Sequence, residues 1–140
     1  MLIMFASVSL GGWSGCALNI KSSPDAGLTW GPSRRLTLNA FFNMSTLVRN
    51  KPIYAADGRI GLPVYHEFLG KFAEYLYISP NGEVTGKSRI SKGNDSLQPT
   101  VVPMDEQHAV AMLLCHVDSN SLEQSELINL KNTERKTYDQ

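Results

Sequence analysis

The sequence predicts an all-β chain of short antiparallel strands, and three observations carry that reading. Short apolar stretches with β-branched and aromatic residues recur along the chain. Turn dipeptides separate them at fairly even intervals: Gly11-Gly12, Asp57-Gly58 and Asn81-Gly82. Within Phe72 to Ser79 the pattern alternates, with Leu76 and Ile78 on one side and Tyr75 and Tyr77 on the other.

In chain order, Met1 to Leu10 reads as a buried strand. Its apolar run has no preceding Lys or Arg, and Trp13 stands where a leader peptide would need a small aliphatic residue, so a secretory signal is not convincing. Gly11-Gly12 turns the chain, and Cys16 to Ser22 returns as a second strand. Arg34 to Leu38 is a third. Asn39 to Ser45 is loop-like, with Phe41 and Phe42 expected against a core. Thr46 to Arg49 and Pro52 to Ala55 flank a short connection. After Asp57-Gly58 comes the strand Ile60 to His66, then Phe72 to Ser79, the Asn81-Gly82 hairpin and Glu83 to Ile90. Ser91 to Leu97 is a polar loop. Pro99 to Pro103 and Ala109 to Cys115 bracket the turn "MDEQH". Residues 117–140 are polar, and Ser121 with Gln124 can form a capping box, so this tail is expected to be helical or disordered.

The chain has 140 residues, enough for one domain with a core, and no stretch long enough for a transmembrane helix. Its 13 basic and 13 acidic residues cancel, and no basic run offers a footprint for nucleic acid. Neither a nucleic-acid nor a membrane partner is expected. Cys16 and Cys115 make no disulfide framework. Cys115, His116 and His108 lack the spacing of zinc ligands, so no metal or other cofactor is expected. Asn43-Met44-Ser45 and Asn94-Asp95-Ser96 match the glycosylation pattern, which carries weight only in a secreted eukaryotic protein.

The densest local signal is "SPDAGLTW", from Ser23 to Trp30. Asp25 can accept hydrogen bonds from nearby backbone N–H groups, Gly27 can take a positive φ, and the Ser23 and Thr29 hydroxyls can satisfy further backbone groups. Trp30 supplies an apolar plate expected to wedge between sheets. Each of these residues has a structural task in a turn between strands.

This stretch resembles the Asp box, Ser-x-Asp-x-Gly-x-Thr-Trp, of the six-bladed β-propellers of sialidases and related BNR-repeat proteins. Ser23, Asp25, Gly27, Thr29 and Trp30 match its signature. "SPNGEV" from Ser79 looks like a decayed second copy, about fifty residues on, a spacing that suits propeller blades of roughly 40–50 residues. A wider similarity, from Gly11 to about Leu114, rests on "GGWSG", "NMSTLVRNKPI", "DGRIGLPVYHEF" and "SRISKGNDSLQPTVVP" and points to the bacterial predicted-neuraminidase branch. The resemblance implies a partial propeller of two to three blades over residues 1–116, with exposed blade edges that favour self-association. It also implies a periplasmic or secreted setting, although a cytoplasmic one stays open.

Sialidases bind the sugar carboxylate with arginines and attack with a tyrosine that a glutamate activates, an exception to the two-carboxylate glycosidase plan. By resemblance, Gln98 falls at the glutamate position and Cys115 near an arginine position, and neither substitute can do that work. The remaining polar cluster is Tyr65-His66-Glu67 at the end of "IGLPVYHEF". Alternation puts Tyr65 and Glu67 on one face, as a phenol–carboxylate pair, and His66 on the other. These are the candidate catalytic residues; Arg59, Arg89 and Gln98 are candidate substrate-binding residues. The leading expectation is a sialidase-like glycoside hydrolase portion that acts on or binds an acidic sugar such as sialic acid and is catalytically incomplete by itself. A non-catalytic glycan-binding or degenerate propeller module is the alternative. A propeller polysaccharide lyase, with His66 and Tyr65 as base and acid, is a third reading.

Overall fold

A computed structural model describes residues 2–8, 12–39, 43–117 and 120–129, with side chains at Ser7 and over 12–39 and 43–114. Among the described residues, ten antiparallel strands form three sheets. The first sheet holds β1 (Leu2–Val8), β2 (Cys16–Ser22) and β3 (Arg34–Arg35). The second holds β4 (Ile53–Tyr54), β5 (Ile60–His66), β6 (Phe72–Ile78) and β7 (Val84–Arg89). The third holds β8 (Ser96–Pro103), β9 (His108–Val117) and β10 (Asn120–Asn129). The only helical turn among the described residues is the short 3₁₀ segment Trp13–Gly15.

The second sheet sits between the other two because both of its faces are apolar. Ile60, Leu62, Val64, Leu76 and Ile78 pack with Leu18, Ile20 and Leu36 of the first unit. Tyr65, Ala73, Tyr75 and Tyr77 face the other way and pack with Val101, Ala109, Ala111 and Leu113 of the third. The alternation read from Phe72 to Ser79 therefore divides two cores. At Gly61 the Tyr75 ring crosses β5 so closely that a Cβ there would lie 1.7 Å from the tyrosine hydroxyl.

Pro63 lies inside β5, where a missing N–H would ordinarily break a ladder. Here β4 pairs only as far as Gly61, and Leu47 bridges β5 again only at Tyr65. By alternation the Pro63 nitrogen points into the gap between these two pairings, so no ladder bond is lost.

Several expectations are corrected. Strand β3 stops at Arg35 rather than Leu38, although the Leu36 N–H still donates to the Leu18 carbonyl. Strand β8 begins at Ser96, inside the segment read as a polar loop, because the Ser96 N–H bonds the Lys71 carbonyl and aligns the chain beside β9. The helix that a Ser121–Gln124 capping box would open does not form: Asn120–Asn129 is a strand paired in full register with β9. A long-range partner edge offers that backbone a bond at every position, which a weak local cap does not match. The expected packing of Phe41 and Phe42, Gly11 of the first turn, and residues 130–140 of the tail lie outside the described residues.

Antiparallel connectivity sorts the connections to two ends. The β2–β3, β4–β5, β6–β7 and β8–β9 turns share one end, where Arg34 Nη2 donates to the Gly82 carbonyl at 2.8 Å and ties the first two sheets together. The segment before β2, residues 43–49, the β5–β6 turn and residues 90–95 share the other. Thr46 N–H donates to the Cys16 carbonyl there, and Lys71 N–H to that of Asn94.

Candidate functional site

The Ser23–Trp30 turn lies at the first end and is closed by its own groups. Asp25 Oδ1 accepts from the Ser23 hydroxyl and the Thr29 N–H, both at 2.8 Å, and Oδ2 accepts from the Thr29 hydroxyl at 2.5 Å. The Gly27 N–H reaches Ser23 Oγ at 2.7 Å, and Gly27 takes a φ of 102°. The Thr29 hydroxyl and N–H bonds, then Ser23, hold the Asp25 carboxyl down at about 2. Every acceptor position of this carboxylate that the chain uses is turned inward to the loop. Trp30 is 37% exposed, so it is not fully enclosed between sheets. The second, decayed copy keeps the same device in reduced form: Ser79 Oγ accepts from the Glu83 N–H, and Gly82 has a φ of 79°.

The opposite end carries the candidate catalytic residues. Strand β5 ends in Tyr65 and His66, and its alternation sends them to different faces. Tyr65 is 2% exposed and belongs to the core shared with the third sheet. Its phenol oxygen accepts a hydrogen bond from the Trp13 indole N–H. Burial pushes the phenol up most strongly. The Trp13 bond opposes this, the Glu67 carboxylate adds to it, and the Arg49 guanidinium works against it. The result is a net rise. The same carboxylate, after burial itself, raises the Cys16 thiol. Tyr65, Glu67, Arg49, Cys16 and Trp13 therefore form one electrostatic neighbourhood. Arg49 and Trp13 are exposed, and Cys16 lies in the core.

His66 stands on the other face of β5. Its Nε2 lies 2.9 Å from Glu74 Oε2, and its ring stacks on Phe72 at 4.4 Å. Lys87 Nζ approaches Glu74 Oε1 at 3.3 Å. Burial would lift the Glu74 carboxyl, but the His66 bond and the Lys87 charge outweigh it and leave the group lowered. Glu74 is thus a buried anion satisfied by two neighbouring strands, and His66 is oriented by it.

The remaining predicted residues are distributed. Arg59 is at the turn end, 2.6 Å from Asp57 through Nε. Arg89 is at the site end, but its guanidinium lies over Phe72 at 4.6 Å and donates to the Gly93 carbonyl and to Asn94 Oδ1. Gln98 is also at the site end, in a β8 irregularity where register slips between Leu97 and Thr100, with φ at 50°. Asn50 Nδ2 braces this kink through the Pro99 carbonyl at 2.7 Å and Thr100 Oγ1 at 2.9 Å. Cys115 pairs with Ser96 across the β8–β9 ladder, so the Gln98 and Cys115 backbones meet at the same end. The side chains of Cys115 and His116 lie outside the described residues; His108 Nδ1 turns to Asp105 at the far end. No group of three or more His, Cys, Asp or Glu arranged for a metal occurs among the described residues. A small cleft between Ile53, Arg59, Tyr75 and Tyr77 adjoins the turn end and contains none of the Tyr65 neighbourhood.

Trp13, Arg49, Cys16 and Glu74 are additions to the residues singled out from sequence. Trp13 and Arg49 sit in "GGWSG" and "NMSTLVRNKPI", which carried the resemblance, but only the folded chain brings them to Tyr65, from 52 residues away for Trp13 and 16 for Arg49.

A comparison with proteins of curated function finds no match. A family model for the BNR repeat-like domain matches residues 1–126. That span takes in both serine-anchored turns, all of the first two sheets and most of the third. With the antiparallel sheets stacked face to face and the Asp25-centred turn between β2 and β3, the chain belongs to the family of BNR repeat-like domains.

Proposed function

We propose that the chain is a sialidase-like partial propeller that binds an acidic sugar at the Tyr65 end and does not hydrolyse it by itself. One observation carries this reading: a buried tyrosine hydroxyl, held by an indole N–H, feels both the Glu67 carboxylate and the Arg49 guanidinium. An exposed guanidinium is the group that recognises a sugar carboxylate, and an exposed indole at the same end offers an apolar plate for a pyranose ring. Trp13 is 55% exposed, so much of the residue meets solvent while its N–H is engaged.

Hydrolysis is disfavoured on physical grounds. A nucleophilic phenol needs a partner that takes its proton and lowers its effective pKa. Here burial raises Tyr65, and the Trp13 N–H bond offsets that rise only in part. Gln98, at the position where the resemblance calls for a glutamate, is an amide and no base. The lyase reading needs His66 and Tyr65 on one substrate, whereas they occupy opposite faces of β5 and His66 is engaged with Glu74.

Titration calorimetry with a methyl sialoside tests the proposal. Saturable binding is expected, weakened about tenfold or more in Arg49→Ala. It should also weaken as salt rises from low to physiological strength, because Arg49 is solvent-exposed. A fluorogenic sialoside should show no turnover. Absence of binding, or binding indifferent to Arg49, overturns the reading.

A further inference from the structure

Residues 45–47 clamp the end of β5 at two points. Leu47 exchanges both backbone bonds with Tyr65, at 2.9 and 3.0 Å. Two residues earlier, the Ser45 hydroxyl oxygen accepts from the Glu67 N–H at 3.0 Å and from the Phe68 N–H at 2.8 Å. Ser45 is 2% exposed and holds a φ of 62°, a left-handed conformation that serine rarely adopts. These two N–H groups follow the last residue of β5. Without Ser45 they would be partly buried donors needing another acceptor. The backbone conformation that aims the hydroxyl at them is kept although it is unfavourable for serine, as happens where surrounding structure over-determines a functional geometry.

We propose that Ser45 is a positioning residue that fixes the Glu67 backbone so that the Glu67 carboxylate stands against the Tyr65 phenol. This rests on the reading of the Tyr65 end as the sugar site. Leu47 sets the height of Tyr65, Ser45 sets the exit of the chain after His66, and together they hold the phenol and the carboxylate in register. A backbone staple with no such role would influence stability alone.

The test uses the full chain with ring-¹³C-labelled tyrosine, followed by NMR between about pH 3 and 7, where carboxylates titrate. The Tyr65 signal, assigned by its loss in Tyr65→Phe, should show a step that disappears in Glu67→Gln. In Ser45→Ala and Ser45→Gly that step should shrink roughly twofold or more, because the carboxylate is no longer held close. The glycine variant relieves the backbone and lacks the hydroxyl, so its agreement with alanine assigns the effect to the hydroxyl. Should either variant fail to fold, Ser45→Cys, which keeps the shape and a weaker acceptor, is expected to show an intermediate step. A full-sized step in any folded Ser45 variant lacking the hydroxyl overturns the proposal, as does a wild-type Tyr65 signal that ignores Glu67→Gln. If the step behaves as expected and a methyl sialoside does not bind, the positioning role stands and the sugar reading falls.

Discussion

Asp25 illustrates what a single residue does in this chain. It gathers the Ser23 hydroxyl and the Thr29 N–H and hydroxyl, and its carboxyl is held at about 2. Asp105 is held equally low by the Gln107 N–H, then by the His108 side chain and N–H. Both folded-state values lie below the usual carboxylate value near 3.9, so both contributions are complete above about pH 4 and vanish as pH falls through about 2. An acid titration of stability should therefore decline through that window, and Asp25→Asn should flatten part of the decline; an unchanged profile would contradict the arrangement. Gly61 is the second informative residue. Since a Cβ there would meet the Tyr75 hydroxyl at 1.7 Å, Gly61→Ala is expected to cost about 3 kcal/mol in a urea melt. A loss below about 1 kcal/mol would mean that the ring moves aside easily. Such close approaches are invisible in sequence, because Gly61 and Tyr75 meet only once β5 and β6 pair.

At the scale of elements, strands whose pattern is local were legible and those defined by a distant partner were not. Ile60 to His66 and Cys16 to Ser22 occur with the boundaries that apolar runs and turn dipeptides indicate. The division of Tyr65 from His66 follows from alternation alone. By contrast, β10 is polar, and its assignment depends on β9 offering a long edge. The Tyr65 neighbourhood was half legible: Glu67 lies two residues away, but Trp13 and Arg49 arrive from other elements. Glu74 was missed because a lone acidic residue in an apolar strand gives no sign of its partners until β5 and β7 flank it. It joins three adjacent strands through His66 and Lys87. Glu74→Ala, which leaves His66 buried without its partner, should cost about 3 kcal/mol by chemical denaturation. Lys87→Ala should cost less than about 1 kcal/mol, because its side chain is a third exposed. Equal costs would show that the two contacts are equivalent.

At the scale of the molecule, the three sheets place the two serine-anchored turns at one end and the proposed sugar site at the other. The turn end holds the Asp25 loop, its reduced copy at Ser79 and the Arg34–Gly82 tie. The other end holds Trp13, Ser45, Arg49, Tyr65 and Glu67, with the braced Gln98 kink beside them. The motif most conspicuous in the sequence thus marks the architecture and stands away from the proposed sugar site. The division is open to direct measurement by mapping amide chemical shifts of the labelled chain during titration with a methyl sialoside. Saturable shifts confined to residues around Trp13, Arg49, Tyr65 and Glu67 are predicted, with Asp25, Asn81 and their neighbours unmoved. No saturable shifts, or shifts centred on the Asp25 turn, would contradict the account.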